Sequence, residues 1–227
     1  MAKKVRKATK AARRGGKKKA LIVWGGWDGH EPKQVAAIFK RQLTRRGFDV
    51  EVATTLDVFC DEKKLAKLDL IVPEWTMGQI TRDQVLGVTK AVAGGVGIAG
   101  VHGGMGDSFR DSVDWQFMVG GQWVAHPGGV IDYRVHIVDH DDCVTAGLDH
   151  FKMKSEQYYM HVDPSNHVLA TTTFEVNGTT MPVAWKRTWG KGRVFYSSLG
   201  HVAKDFKVPE ALTIITRGML WAAGALD

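Results

Sequence analysis

Four of the nine histidines lie in or beside glycine-rich turns: Gly29-His30, Val101-His102-Gly103-Gly104, His126-Pro127-Gly128-Gly129 and Gly200-His201. An imidazole titrates near neutral pH, so such residues can serve as general acid and base. The neutral ring also ligates divalent metals. These four show neither HxxxH nor HxH spacing, so the sequence leaves the two chemistries open. For the first, His102 and His201 with Glu156 are the candidate catalytic groups. For the second, His30, His102 and His201 are the candidate ligands of a zinc- or manganese-type ion, with Glu31 or Glu156 completing the shell. Six tryptophans, Trp24, Trp27, Trp75, Trp123, Trp185 and Trp189, fall in or next to these turns and strand ends. Aromatic faces beside polar groups suit sugar rings, although large aromatics also line cores. His30, Trp27, His126, Tyr158 and Trp185 are therefore the candidate substrate-binding residues.

The elements that must position these groups can be read from the pattern. Lys19–Trp24 is a continuous apolar run, as expected of a strand buried on both faces. It leads into the glycine-rich loop 25–32, which can offer backbone N–H groups to an anion. Pro32 then opens a helix with Val35, Ile38, Phe39 and Leu43 on one face, stopped by Gly47. Asp49–Ala53 alternates as a second strand. Leu68–Val72 reads as a third, closed by Pro73. Thr81 caps a helix to about Val92, and Gly94-Gly95 ends it. Val96–Val101 is a fourth strand. It runs into a sharp turn of the nucleophile-elbow kind, with His102 at the corner.

Beyond the elbow, Asp114–Val119 reads as a short helix and Gln122–Gly129 as an irregular loop. Ile131–Val138 reads as a strand, and Ser155–Tyr159 is not assigned. Asn177-Gly178 is a hairpin signal between strands Val168–Val176 and Met181–Trp189. Arg193–Ser198 is the last strand, and Pro209 opens the last helix. The strand–helix–strand–strand–helix–strand order predicts a parallel sheet covered on both faces, with ligands outside the carboxyl ends of its strands.

The net charge of +7 belongs to one end of the chain. Residues 1–19 carry ten Lys/Arg and no acid, which leaves the rest at −3. Residues 1–18 are thus expected to be a basic, disordered tail, and 19–227 a single domain. Such a run can attract nucleic acid through phosphate charge, but the expected role is a solvated extension. The basic run is not followed by the apolar core of a signal peptide, and no apolar run reaches membrane-spanning length. Cys60 and Cys143 suggest no disulfide framework, so the expected location is the cytoplasm.

The motifs Gly25–Pro32, Gly100–Gly104, Gly120-Gly121…His126-Pro127, Ser155–Tyr159 and Pro182–Trp185 through Gly200-His201 together resemble the trehalose-utilisation (ThuA-like) family. The resemblance spans about residues 19–225. It implies a flavodoxin-like, three-layer α/β/α fold with a mostly parallel central sheet, similar to class I glutamine amidotransferases. Those enzymes carry a Cys at the elbow and a His near the carboxyl end. Here His102 takes the Cys position and His201 falls where the His would. An imidazole cannot form the thioester, so a glutaminase reaction is not expected. The resemblance implies disaccharide catabolism on trehalose-like or oxidised (keto) sugars, by a hydrolase, lyase or isomerase. The alternative is a non-catalytic sugar- or metabolite-binding module. The expected partner is a small-molecule sugar, with neither a membrane nor nucleic acid. A homo-oligomer is a further candidate.

Overall fold

The structure is a computed structural model and describes residues 16–227. The expected basic extension lies mostly outside the described residues. The first strand, β1 (Lys19–Gly26), leads through a 3-10 turn, Asp28–His30, into α1 (Pro32–Thr44). Pro32 opens this helix as expected, because its fixed φ and missing N–H suit the first turn. Val35, Ala36, Phe39 and Leu43 of α1 are buried. Then follow β2 (Asp49–Ala53), α2 (Glu62–Leu65), β3 (Leu70–Thr76) and α3 (Arg82–Gly94). Thr81 caps α3 with a full capping box. Its side chain accepts from the Gln84 N–H, while the Gln84 side chain accepts from the Thr81 N–H.

The chain continues through β4 (Gly97–Val101), α4 (His102–Gly106) and α5 (Val113–Val119). Next come β5 (Gly121–Ala125), β6 (Val130–Ile137), β7 (Phe151–Glu156) and β8 (Tyr159–Val162). The chain closes with β9 (His167–Thr173), β10 (Thr180–Trp189), β11 (Gly192–Ser197) and α6 (Pro209–Ala222).

Nine strands form one sheet in the order β2-β1-β3-β4-β11-β10-β9-β6-β7. The first five are mutually parallel, and β10, β9, β6 and β7 extend the sheet by antiparallel pairing. Helices α1 and α6 pack on one face, where Phe39, Leu43, Ile214, Ile215 and Met219 meet Ile22, Val72 and Ala99. On the other face Val85, Val88, Val92, Trp115 and Met118 from α3 and α5 meet Leu21, Ile71 and Ile98. Inward-pointing residues on both faces explain why β1, β3 and β4 read as unbroken apolar runs. This is the three-layer α/β/α arrangement expected from the sequence. The Asn177-Gly178 hairpin is also present, with Thr173 paired to Thr180 and Gly178 at φ +72°.

Two local expectations need correction. The segment after Gly120 is not an irregular loop. Residues 121–125 form β5, which pairs antiparallel with β8 in a separate two-stranded sheet. Nor does Pro73 end the third strand, because β3 runs on to Thr76. Pairing of β3 with β4 reaches only Ile71↔Ile98, so a missing N–H on that side at Pro73 breaks no ladder bond.

Candidate functional site

Strands β1, β4 and β11 each deliver one histidine to the carboxyl edge of the parallel strands. His30 sits in the turn after β1, His102 at the corner after β4, and His201 just past β11. His102 has φ +43°, a left-handed conformation rare for a residue with a side chain. Such a backbone persists only where its surroundings over-determine it, and here they do. The His102 carbonyl accepts from the Tyr196 hydroxyl at 3.0 Å, and the ring stacks on Tyr158 with centroids 3.9 Å apart. His102 Nδ1 lies 2.8 Å from the Ser198 carbonyl. A carbonyl only accepts, so Nδ1 carries a proton and Nε2 is the atom turned to the site. The side chain is 1 % exposed.

Nε2 of His102 meets Oε2 of Glu156 at 3.1 Å. Glu156 ends β7 and is the centre of the cluster. His30 Nε2 stands 4.0 Å from Oε2, while His201 Nε2 and His126 Nδ1 stand 3.5 and 3.8 Å from Oε1. One carboxylate thus faces four imidazoles. Each ring is held from behind or packed against another. His30 Nδ1 shares a 2.8 Å hydrogen bond with Thr76 Oγ1, which turns Nε2 toward Glu156. The His30 ring lies edge-on to His102, His201 and Trp27, with centroids 4.8, 5.1 and 4.7 Å away. The backbone N–H of His201 donates to Asp205 Oδ2 at 3.1 Å, and Ser155 Oγ donates to the same oxygen.

The electrostatics follow from this crowding. Burial opposes ionisation of Glu156, but the hydrogen bond from His102 and the charges of His102, His201 and His126 outweigh it and bring the carboxyl down to about 2. His30 is lowered to about 3, first by burial and then by His102 and His201. His201 is lowered by the same causes. At neutral pH the site therefore holds an ionised carboxylate beside His30 and His201 rings that are neutral. Tyr158, behind His102, is pushed up by burial and by the neighbouring Tyr196 and Glu156.

The expected residues divide clearly. His30, His102, His126, His201 and Glu156 come together. Trp27 stands at the rim, 48 % exposed. Tyr158 is adjacent but buried behind His102, so it supports the ring and presents no open face. Trp185, expected to bind substrate, is fully buried. It packs on Tyr196 and donates its indole N–H to the Val119 carbonyl, so it is a core residue. Glu31, the alternative carboxylate, accepts from the Ala203 N–H at 3.0 Å and does not join the His30, Glu156 and His201 group. Sequence reasoning missed Thr76, Ser198, Asp205 and Glu74. Glu74 is fully buried on β3, and its Oε1 has no hydrogen-bond partner among the described residues. Burial raises its carboxyl well above the usual range. A surface groove of about 360 Å3 beside Gln79, Arg82 and Asp111 shares no residue with the cluster.

The family model described as ThuA, trehalose utilisation, matches residues 19–222. A ThuA-like protein of Bacteroides uniformis superposes with a TM-score of 0.77 at 17% identity, over 95% of each chain. A ThuA-like protein of Parabacteroides merdae gives 0.73 at 18% identity, over 92% of this chain and 90% of that one. The acivicin-bound glutaminase domain of Trypanosoma brucei CTPS gives 0.54 at 12% identity, over 92% and 95%. No curated protein matches the chain in sequence. At these identities the structural likenesses concern the fold alone, which is that of the glutamine amidotransferases.

Proposed function

The chain belongs to the trehalose-utilisation (ThuA) family, and from that premise we propose that it is an enzyme of carbohydrate breakdown acting on a trehalose-like or keto-disaccharide at the Glu156 cluster. One observation carries the reading: a carboxylate ringed by four imidazoles at 3.1–4.0 Å, at the edge of the sheet where such folds bind ligands. Trp27, half exposed and edge-on to His30, offers an apolar face for a sugar ring. His126 has a solvent-reachable side chain, 40 % exposed, and is the group that can pass protons to and from a bound sugar. His102 is enclosed with both ring nitrogens engaged, so it positions Glu156 and does not touch the substrate. The elbow holds no thiol, and Cys60 and Cys143 lie elsewhere, so acyl transfer through a thioester has no nucleophile there.

The test is turnover of native and keto-disaccharides by the wild type and by Glu156→Gln. The substitution keeps the size of the side chain and removes its charge. A loss of at least about 10²-fold is expected, with the circular dichroism spectrum unchanged. Undiminished turnover overturns the reading. Tight sugar binding by calorimetry without any turnover makes the protein a binding module instead.

A further inference from the structure

We propose that His30, His201 and Glu156 bind one divalent first-row transition-metal ion, a step that deepens the reading of this cluster as the active site and rests on it. The distances make the case. Glu156 forms one hydrogen bond to an imidazole, the 3.1 Å contact from His102. The other three nitrogens stand 3.5, 3.8 and 4.0 Å from its oxygens and form no hydrogen bond to them. Two ligands each about 2.1 Å from an ion lie about 3.0–3.4 Å apart at octahedral or tetrahedral angles. His201 Nε2, 3.5 Å from Oε1, is within about 0.1 Å of that range, and His30 Nε2, 4.0 Å from Oε2, comes into it with about 0.6 Å or more of side-chain movement. One atom each from His30, His201 and Glu156 all lie within 4.8 Å of one another.

The surroundings match a metal centre as well. Ligating histidines usually have their other nitrogen fixed by a hydrogen bond. Thr76 Oγ1 does this for His30 Nδ1. The Glu156 carboxylate is itself held, with Oε2 3.1 Å from His102 Nε2 and the His102 ring anchored through Nδ1 on the Ser198 carbonyl. His126 Nδ1 is enclosed, has no hydrogen-bond partner among the described residues, and stands 3.8 Å from Glu156 Oε1, the oxygen that His201 also faces. Two imidazoles and one carboxylate are a borderline N/O set without thiolate, which suits Zn2+, Co2+, Fe2+ or Mn2+ and leaves positions open for substrate oxygen.

A second group, Asp139, Asp142 and His167, also has ligand-like spacing. It differs in two ways: Lys186 already neutralises Asp142, and the His167 side chain is 54 % exposed. It serves as the internal control.

The experiment uses full-length protein without a histidine tag, stripped with chelator and titrated with Zn2+, Co2+ and Mn2+ by calorimetry. One ion per chain is expected for at least one of the three. His30→Gln and His201→Gln should each weaken binding at least 100-fold, and His167→Ala should leave it unchanged. Co2+ bound to the wild type should give visible d–d absorption of nitrogen–oxygen ligation, a readout that needs no variant to fold. The assignment is overturned if none of the three ions binds. It is also overturned if His167→Ala abolishes binding while the His30 and His201 variants retain it. Turnover separates the two claims. Metal binding without sugar turnover leaves the ion in place and removes the carbohydrate reading. Turnover that depends on Glu156 in a protein that binds none of the three ions keeps the carbohydrate reading and removes the ion.

Discussion

Glu156 gains its role from what surrounds it, and its neighbours can be tested one at a time. Thr76 touches His30 through a single hydroxyl at 2.8 Å. Thr76→Val keeps the branched shape and removes that partner, leaving His30 Nδ1 buried and unsatisfied. The expected result is a 10–100-fold loss of metal affinity by calorimetry, with about 1–3 kcal/mol lost in denaturant titrations. An affinity equal to wild type would mean that the hydroxyl does not orient the ring. Glu74 makes a different case. Its carboxyl is buried with an orphaned oxygen, and burial raises it well above its ordinary 4.5. The folded state therefore favours the protonated acid, so its stabilising effect is full below 4.5 and declines as pH rises toward the folded value. Glu74→Gln removes this ionisation. Between pH 4.5 and 8 the variant's unfolding free energy should fall less steeply with pH than that of the wild type, and parallel slopes would refute the assignment. The histidines were legible in the sequence because glycine marks the turns that carry them. Thr76 and Glu74 were not, because Pro73 reads as the end of the strand that holds both. Ser198 contributes only a backbone carbonyl, which any residue type would supply.

At the level of the element, the elbow is the part most sensitive to added volume. A Cβ on Gly104 would come within 2.6 Å of Glu74 Oε2 and 3.0 Å of the Glu74 Cα. The second of these is backbone and cannot swing aside. Gly104→Ala should therefore push α4 off β3, costing about 1–3 kcal/mol. It should also shift His102 relative to Glu156, so turnover should fall along with Tm. A variant of lowered Tm but full turnover would show that α4 can move without disturbing the cluster. The capping box on α3 lies far from this chemistry in function, and it calibrates the comparison. Thr81→Ala should cost about 1 kcal/mol and leave turnover unchanged. The elbow, α3 and the parallel strands were readable because local rules, a glycine pair, a capping threonine and apolar runs, fix them. Strand β5 was not. Its five residues find their partner in β8, some 35 residues on, and both strands are too short for a periodicity to declare itself.

For the molecule as a whole, the cluster joins the two halves of the sheet. His30, His102 and His201 come from the parallel half, whereas Glu156 ends β7 at the far antiparallel edge. The Ser155–Asp205 hydrogen bond ties β7 to the turn Ala203–Lys207 and brings that edge over the histidines. Sequence alone supplied the parallel half and its ligand edge and named Glu156 as a candidate, but it left Glu31 open as the metal carboxylate, because the choice depends on how the antiparallel half curls. Assembly from distant segments has a thermodynamic consequence. The unfolded chain has no preformed site, so an ion bound by the native state stabilises the entire fold by mass action. At 100 times its dissociation constant, whichever of Zn2+, Co2+ and Mn2+ binds in the titration should add about 2.7 kcal/mol. For a chain of 227 residues, with about 2–4 °C per kcal/mol, Tm should rise by about 5–10 °C in a thermal melt. The rise should persist in the His167→Ala variant and vanish in His30→Gln. A rise of equal size in His30→Gln would place the ion outside the cluster. No rise at 100-fold excess would mean that the two halves of the sheet meet at Glu156 without a metal between them.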